Sequence, residues 1–353
     1  MAAFGPAPTS MKYRFLGDSG LLVSTFSFGN WVTTEKTDPA AVDNAYEIMA
    51  HGYKHGVNFW DTAEGYGAGT AEEVLGQVLQ RGIDNKIWAR DDIVISTKIY
   101  VGTKEGPNAR GLSRKHIVEG LQASLQRMKI KYTDVVFCHR FEERVPIEEI
   151  VRAMNFVINQ GWAFYWGTSE WQTSDILKAC EIADRLGLIR PVCEQPQYNL
   201  FERSKVEVDF QPLYNKYGLG LTTWSPLAFG ILTGKYANGI PEGSRLAIDY
   251  IAGLVPDLHD RVAKVEKLRP IAEDLGCSLA QLALAWCASN EQVSTVILGA
   301  SNVKQLDENL KALAIVDKIT PEIKSRIDAV IQHQYKPATR DRWYTIRAKY
   351  YSK

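Results

Sequence analysis

Four polar side chains stand at or just beyond the ends of apolar runs. Asp61 closes Val57–Trp60, and Tyr66 follows in a glycine-bounded loop. Lys98 ends the run that starts at Ile93, and His139 ends the run that starts at Val135. Together these types make a proton donor for an oxygen that gains negative charge, as a carbonyl does when it accepts hydride. Tyrosine is a weak acid, with a reference pKa of about 10. A nearby ammonium favours its phenolate, and a carboxylate would keep that ammonium charged and in place. A histidine N–H can hold a substrate oxygen near the phenol. Each residue alone has a plainer reading: Asp61 as a turn cap, Lys98 as a surface lysine, His139 as a hydrogen-bonded core histidine. The chemistry requires that the four run ends meet.

The elements that must bring them together alternate regularly. Lys12–Leu16 and Leu22–Ser24 flank Gly17-Asp18-Ser19-Gly20, a hairpin pattern. Apolar strand patterns then fall at Phe26–Gly29, Val57–Asp61, Ile93–Lys98, Val135–His139, Ala163–Ser169, Val192–Gln195, Leu221–Trp224 and Val293–Leu298. Helical patterns lie between them, at about 39–55, 70–81, 117–128, 146–160, 174–186, 205–217, 260–275, 278–288 and 302–313, with a last one from Pro321. Ile117, Leu121, Leu125 and Met128 show the period most clearly. A Gly-, Pro- and Tyr-rich connection spans Leu227 to about Pro256, a length usually reserved for function.

Eight near-continuous apolar strands, each followed by helix, predict an α/β fold: a (β/α)8 TIM barrel with an N-terminal β-hairpin and extra C-terminal helices. The expected organisation is a flexible tail over 1–10, one barrel domain over 11–335 and a basic, aromatic C-terminal tail over 336–353. A doubly wound sheet would need a phosphate-binding Gly-x-Gly-x-x-Gly in its first unit. The nearest match, Gly65-Tyr66-Gly67-Ala68-Gly69, has the wrong spacing and lies in the second unit. It is read as a turn.

Lys plus Arg equals Asp plus Glu at 41 each, which gives no charge excess for nucleic acid or an anionic membrane. Met1–Ser10 lacks the pattern of a signal peptide, and no apolar run approaches a membrane span. The five cysteines are widely spaced with no C-x-x-C; they read as free thiols of a cytoplasmic protein. His51 and His55 have metal-like i, i+4 spacing but show no third ligand in the sequence, so no metal is expected. Trp31, Trp60, Trp171 and Trp224 are core or pocket candidates; the first, third and fourth lie just past strand ends, which favours a pocket.

Asp61-Thr62-Ala63-x-x-Tyr66, with Lys98 and His139 after the next two strands, resembles the acid–base tetrad of the aldo-keto reductases. Further segments are similar to the branch that contains the β subunits of voltage-gated potassium channels. They include Gly111–Ile117, Val157–Gly161, Tyr165–Ser169, Thr223–Leu227, Gly234–Tyr236 and Leu298–Asn302, and the likeness runs from about Lys12 to Gln334. The resemblance implies NADPH-dependent reduction of aldehydes or ketones, with Tyr66 as general acid, Lys98 and Asp61 tuning it, and His139 orienting the carbonyl. It implies that Ser169 and Gln195 hold the nicotinamide, with Trp31 and Glu170 beside them. Trp224, Ser225, Pro226, Leu227 and Ala228 would line the cofactor groove. Lys235 and Arg245 would meet phosphates, and Gly299, Ser301, Gln305, Glu308 and Asn309 the adenosine end. A homotetramer, and a potassium-channel cytoplasmic domain as partner, are implied by the same branch. The alternative it offers is an auxiliary channel subunit using bound NADP(H) as a redox sensor.

Three departures bear on that choice. Channel subunits carry Asn at the position of His139 and Arg at the position of Glu170. The expected ten-residue tail is also too short for the tethered pore-blocking segment some of them carry. His139 and the short tail favour the reductase.

Overall fold

The computed structural model describes residues 10–30 and 37–351. An antiparallel hairpin comes first, β1 (Tyr13–Phe15) and β2 (Leu22–Ser24), with Tyr13 opposite Ser24. Strands and helices then alternate: β3 (Phe26–Gly29), α1 (Pro39–Lys54), β4 (Phe59–Asp61), α2 (Thr70–Asp84), β5 (Val94–Ile99), α3 (Arg114–Met128), β6 (Thr133–Cys138) and α4 (Ile147–Asn159). They continue as β7 (Ala163–Ser169), α5 (Thr173–Leu186), β8 (Cys193–Gln195), α6 (Gln211–Tyr217), β9 (Gly220–Thr223), α7 (Asp249–Ala252), α8 (Leu258–Asp274) and α9 (Leu279–Ala288). The last are β10 (Val293–Leu298), α10 (Val303–Leu310) and α11 (Pro321–Ile331).

Strands β3 to β10 pair in parallel and close on themselves in the order β10-β3-β4-β5-β6-β7-β8-β9. Every residue of β5, β6 and β10 is buried. This is why these strands read as apolar runs rather than alternations: helices cover one face and the barrel interior the other. The chain thus has the eight-stranded TIM barrel that the alternation predicts.

The barrel has a floor and a mouth. Leu16 and Val23 of the hairpin pack with Phe59, Val94, Val135, Phe137 and Cys193 to fill the lower interior. Gly17 sits in the hairpin turn at φ +57, where a Cβ would lie 2.1 Å from the Val192 carbonyl oxygen. Only glycine suits both that backbone and that approach. Arg14 anchors the hairpin from outside by donating to the carbonyls of Ala288 and Val293 at 2.7 and 2.6 Å.

Three segments depart from expectation. The helix expected over 205–217 opens as a π turn at Lys205–Asp209, and α6 starts only at Gln211. Pro212 has no N–H to continue the earlier ladder, but it suits a first helical turn. The long connection after β9 folds into short 3-10 turns at Ala228–Thr233 and Arg245–Ala247 and the single turn α7. The segment after 336 contains only two 3-10 turns, yet ion pairs Arg340–Asp175, Arg347–Glu142 and Lys349–Glu105 bind it across the barrel mouth. Among the described residues, no helix is long and apolar enough to cross a membrane.

Candidate active site

The C-terminal ends of the strands open into one cleft of about 1270 Å³, larger than the roughly 300–1,000 Å³ of ordinary small-molecule pockets. Asp61, Tyr66 and His139 line it near the barrel axis. Parallel register places them there: Asp61 on β4 pairs with Ser96 on β5, and Ile99 pairs with Cys138 on β6, next to His139.

Lys98 lies beneath this group with its side chain fully buried. Its ammonium has three protons and three acceptors: Asp61 Oδ2 at 2.5 Å, the Thr62 carbonyl at 2.8 Å and the Tyr66 hydroxyl at 3.1 Å. Asp61 Oδ1 accepts from Ser96 Oγ at 2.6 Å and Gln195 Nε2 at 3.1 Å. The buried carboxylate is thus held on both oxygens, and the lysine cannot swing away without leaving it unpaired.

The loop that carries Tyr66 is fixed from below. Glu64 is buried, and its Oε1 accepts from the amides of Tyr100 and Gly102 at 2.6 and 2.8 Å and faces His116 Nε2 at 3.0 Å. Gly67 and Gly69 take positive φ in the turn that ends at α2. That turn is not a phosphate cradle: of its three glycines only Gly65 borders the cleft.

Burial and charge set the protonation states. Burial raises the Tyr66 pKa above 10; Lys98 pulls it down and Asp61 pushes it up, and the net shift is upward. Lys98 therefore does not overcome burial, contrary to the expectation of a lowered phenol pKa. The phenol stays protonated, as a proton donor must. Burial by itself would lower the Lys98 pKa, but Asp61 and then Tyr66 outweigh it and keep the ammonium charged. His139 is driven well below 6.5 by burial, then by Arg140 and Lys98. It is a neutral imidazole set edge-on to Tyr66, with ring centroids 5.7 Å apart, and its Nδ1 has no hydrogen-bond partner among the described residues.

The remaining expected residues divide. Ser169 and Gln195 lie on paired ends of β7 and β8 and border the cleft beside Asp61. The Ser169 hydroxyl donates to the Gln195 carbonyl at 2.9 Å. Trp224, Ser225, Pro226 and Leu227 form one wall, with Lys235 and Arg245 farther along. Gly299, Ser301, Gln305, Glu308 and Asn309 form the far end. There the first turn of α10 is partly capped by its own side chains: Ser301 N–H donates to Gln305 Oε1 at 3.0 Å, and Gln305 N–H to Asn302 Oδ1 at 2.9 Å. Trp31 lies outside the described residues.

Three expectations need correction. Glu170 does not line the cleft. At φ +58 its carboxylate turns behind the wall, where it meets Lys205 at 2.6 Å, Trp224 Nε1 at 2.9 Å and the Gln197 amide at 2.5 Å. Burial alone would raise its pKa, but Lys205 and Arg140 hold it down to about 2. Ala228 is also buried behind the wall. Trp171 belongs to the core, edge-on to Phe141 at 5.1 Å, and Trp60 packs on Trp88.

Several cleft residues went unread in the sequence, Arg140, Trp343 and Lys304 among them. Arg140 follows His139 directly and donates to Ser169 Oγ at 3.3 Å and to Asp341 at 2.7 Å. Trp343 reaches the cleft from the C-terminal segment, held by the Tyr100 hydroxyl on its carbonyl. Arg140 was findable as an arginine beside a candidate histidine. Trp343 had no periodic signal to mark it.

The cleft suits a dinucleotide together with a small substrate. One end carries the protonated phenol and neutral imidazole. The other carries Lys235, Arg245 and the unexpected Lys304 near a helix start, a chemistry matched to phosphates. Comparison with known proteins gives the family. A model of the Aldo/keto reductase family matches residues 25–332. A protein of Arabidopsis thaliana named "Probable voltage-gated potassium channel subunit beta" is 53% identical over 329 residues, 92% of this chain and 98% of that protein. A protein of Oryza sativa subsp. japonica with the same name is 52% identical with the same coverage.

Proposed function

The chain belongs to the aldo/keto reductase family, and on that premise we propose that it reduces an aldehyde or ketone to an alcohol, with NADPH as hydride source. The observation that carries this reading is the Lys98 ammonium shared between Asp61 Oδ2 and the Tyr66 hydroxyl. When bound, the nicotinamide supplies a hydride to the carbonyl carbon. The protein's own work is on the oxygen. His139, neutral and edge-on to Tyr66, would donate a hydrogen bond to the carbonyl oxygen and set its position. Tyr66 would pass its proton to that oxygen as charge develops. Lys98, kept cationic by Asp61, would stabilise the phenolate left behind and relay toward reprotonation.

Ser169 and Gln195 would hold the cofactor's carboxamide, and Trp224 to Leu227 its flank. Lys235 and Arg245 would meet the pyrophosphate, while Ser301, Gln305, Glu308, Asn309 and Lys304 would hold the adenosine end. Lys304 beside Ser301 would favour a 2′-phosphate, hence NADPH over NADH.

Tyr66→Phe tests the reading. It removes one hydroxyl while Lys98 keeps Asp61 and the Thr62 carbonyl, so folding and NADPH binding should persist. Turnover of an activated aldehyde such as 4-nitrobenzaldehyde should fall by about 10²–10⁴-fold. Wild-type protein that binds NADPH but reduces nothing on a broad carbonyl panel would overturn the proposal.

A second reading takes its direction from the names of the two plant relatives: an auxiliary subunit of a potassium channel, for which we further propose a tetramer that uses NADP(H) as a redox sensor. Co-purification with a channel's cytoplasmic domain at micromolar concentration would support it. His139 and the closed tetrad favour turnover as the principal activity.

A further inference from the structure

His51, His55 and Asp307 come together outside the cleft, where α1 ends against α10. One ligand atom from each lies within 4.8 Å of the others. We propose that these three residues form a binding site for a divalent transition-metal ion of the zinc class, which staples α1 to α10.

The chemistry of the donors is the first argument. Two imidazoles and a carboxylate suit zinc and its neighbours, with water in the fourth position. The geometry is the second. Four ligands at about 2.0–2.1 Å in a tetrahedron lie roughly 3.3 Å apart. His51 Nε2 is 3.4 Å from Asp307 Oδ1, yet this nitrogen is buried and makes no hydrogen bond among the described residues. That separation is an ion-pair distance when the imidazole is protonated, and with a neutral imidazole it also matches the spacing of two ligands on one ion.

The third argument is tautomer control. His55 Nδ1 lies 2.9 Å from the His51 carbonyl oxygen. The carbonyl can only accept, so Nδ1 carries the proton and Nε2 keeps its lone pair. Metal-binding histidines are commonly oriented in this way through the other ring nitrogen. The two rings already face each other, with centroids 4.3 Å apart. His51 is in the last turn of α1 and His55 is its C-terminal cap, where the helix dipole favours a cation. Lys311 lies 3.6 Å from Asp307 Oδ2 and competes for it, but its closer partner is Glu308 at 2.5 Å. Asp307 can therefore turn to a metal without stranding the lysine. The consequence reaches the cleft by position, since Gln305, Glu308 and Asn309 lie on the same short helix.

The test is independent of catalysis. Untagged full-length protein, free of cofactor, is titrated with zinc chloride by calorimetry in a non-chelating buffer, and its melting temperature is followed with and without zinc. We expect one zinc per chain, micromolar affinity, and a rise in melting temperature reversed by EDTA. His55 is exposed and Asp307 half-exposed, so His55→Ala and Asp307→Asn should fold normally. Each should weaken binding at least roughly tenfold. Cys277→Ser, which removes a partly exposed thiol, should leave binding unchanged. No stoichiometric uptake at millimolar zinc, or uptake unchanged in Asp307→Asn, would refute the site.

Discussion

Replacing Lys98 by Met should damage folding and chemistry together, and a second substitution should pull the two apart. Lys98 is fully buried and its partner Asp61 is 4% exposed, with 2.5 Å between charges. Lys98→Met leaves the Asp61 carboxylate with only Ser96 and Gln195 as donors. Breaking a buried ion pair from one side costs about 3–5 kcal/mol. That is a large share of a total stability of about 5–15 kcal/mol. Adding Asp61→Asn removes the stranded charge. What then remains is chiefly the Thr62 carbonyl without its donor, worth about 1–3 kcal/mol. The double variant should therefore be more stable than Lys98→Met by about 2 kcal/mol. Activity should behave differently. Both variants lack the cation beside Tyr66, so carbonyl reduction should fall by about 100-fold or more in each. Urea unfolding at pH 7, followed by the fluorescence of the nine tryptophans, measures the first quantity, and initial rates of NADPH oxidation measure the second. A single variant that costs less than about 1 kcal/mol, or a double variant no more stable than the single, would refute the account of a dry, mutually dependent pair.

Three further outcomes follow from the charges around the barrel mouth. Glu170→Gln should weaken NADPH binding several-fold while leaving kcat nearly intact, because the carboxylate braces Trp224 from behind; fluorescence titration reads the affinity, and an unchanged affinity would remove Glu170 from that role. Burial lifts the Glu194 carboxyl to about 7, against Lys205 and Thr168, so its protonated form stabilises the fold below the ordinary carboxylate range. That stability is lost as pH rises through about 7, and Glu194→Gln should gain about 3 kcal/mol relative to wild type between pH 4.5 and 8 in parallel denaturation curves. His139 is held neutral by burial and its cationic neighbours, so its ring nitrogens should show no titration step by NMR at the ordinary histidine value of about 6.5. Its depressed pKa costs stability as pH falls through the unfolded value of about 6.5, and His139→Asn should lessen that acid-side loss.

Much of the architecture is legible in the chain because a parallel barrel buries both faces of its strands. Val135–Phe137 and Val293–Leu298 read as continuous apolar runs for that reason, and counting eight such runs is enough to close the barrel. The chemical types at the run ends are legible too, since Asp61, Lys98 and His139 interrupt apolar sequence where a core residue would otherwise stand. Local chemistry was misread where a side chain's direction depends on remote neighbours. Glu170 follows Ser169 in the chain, but its positive φ and Lys205 turn it away from the cleft. Trp171 follows a strand end as Trp224 does, yet only Trp224 faces the cleft.

The amino-acid order by itself determined the alternation of strand and helix, the apolar lining, and the supply of a phenol, an ammonium, a carboxylate and an imidazole at strand ends. These depend on near neighbours and on periods of two or 3.6 residues. Tertiary structure alone decided what those groups become. Closure brings Lys98 beneath Tyr66 and places Gln195 on Asp61. Burial outweighs the lysine and keeps the phenol protonated. The ends of α1 and α10 bring Asp307 to two histidines some 250 residues earlier. Trp343 enters the cleft because Arg140, Tyr100 and the ion pairs of Arg340 and Arg347 hold the last segment across the mouth. Distances and dielectric are properties of the packed molecule, and no local spacing encodes them.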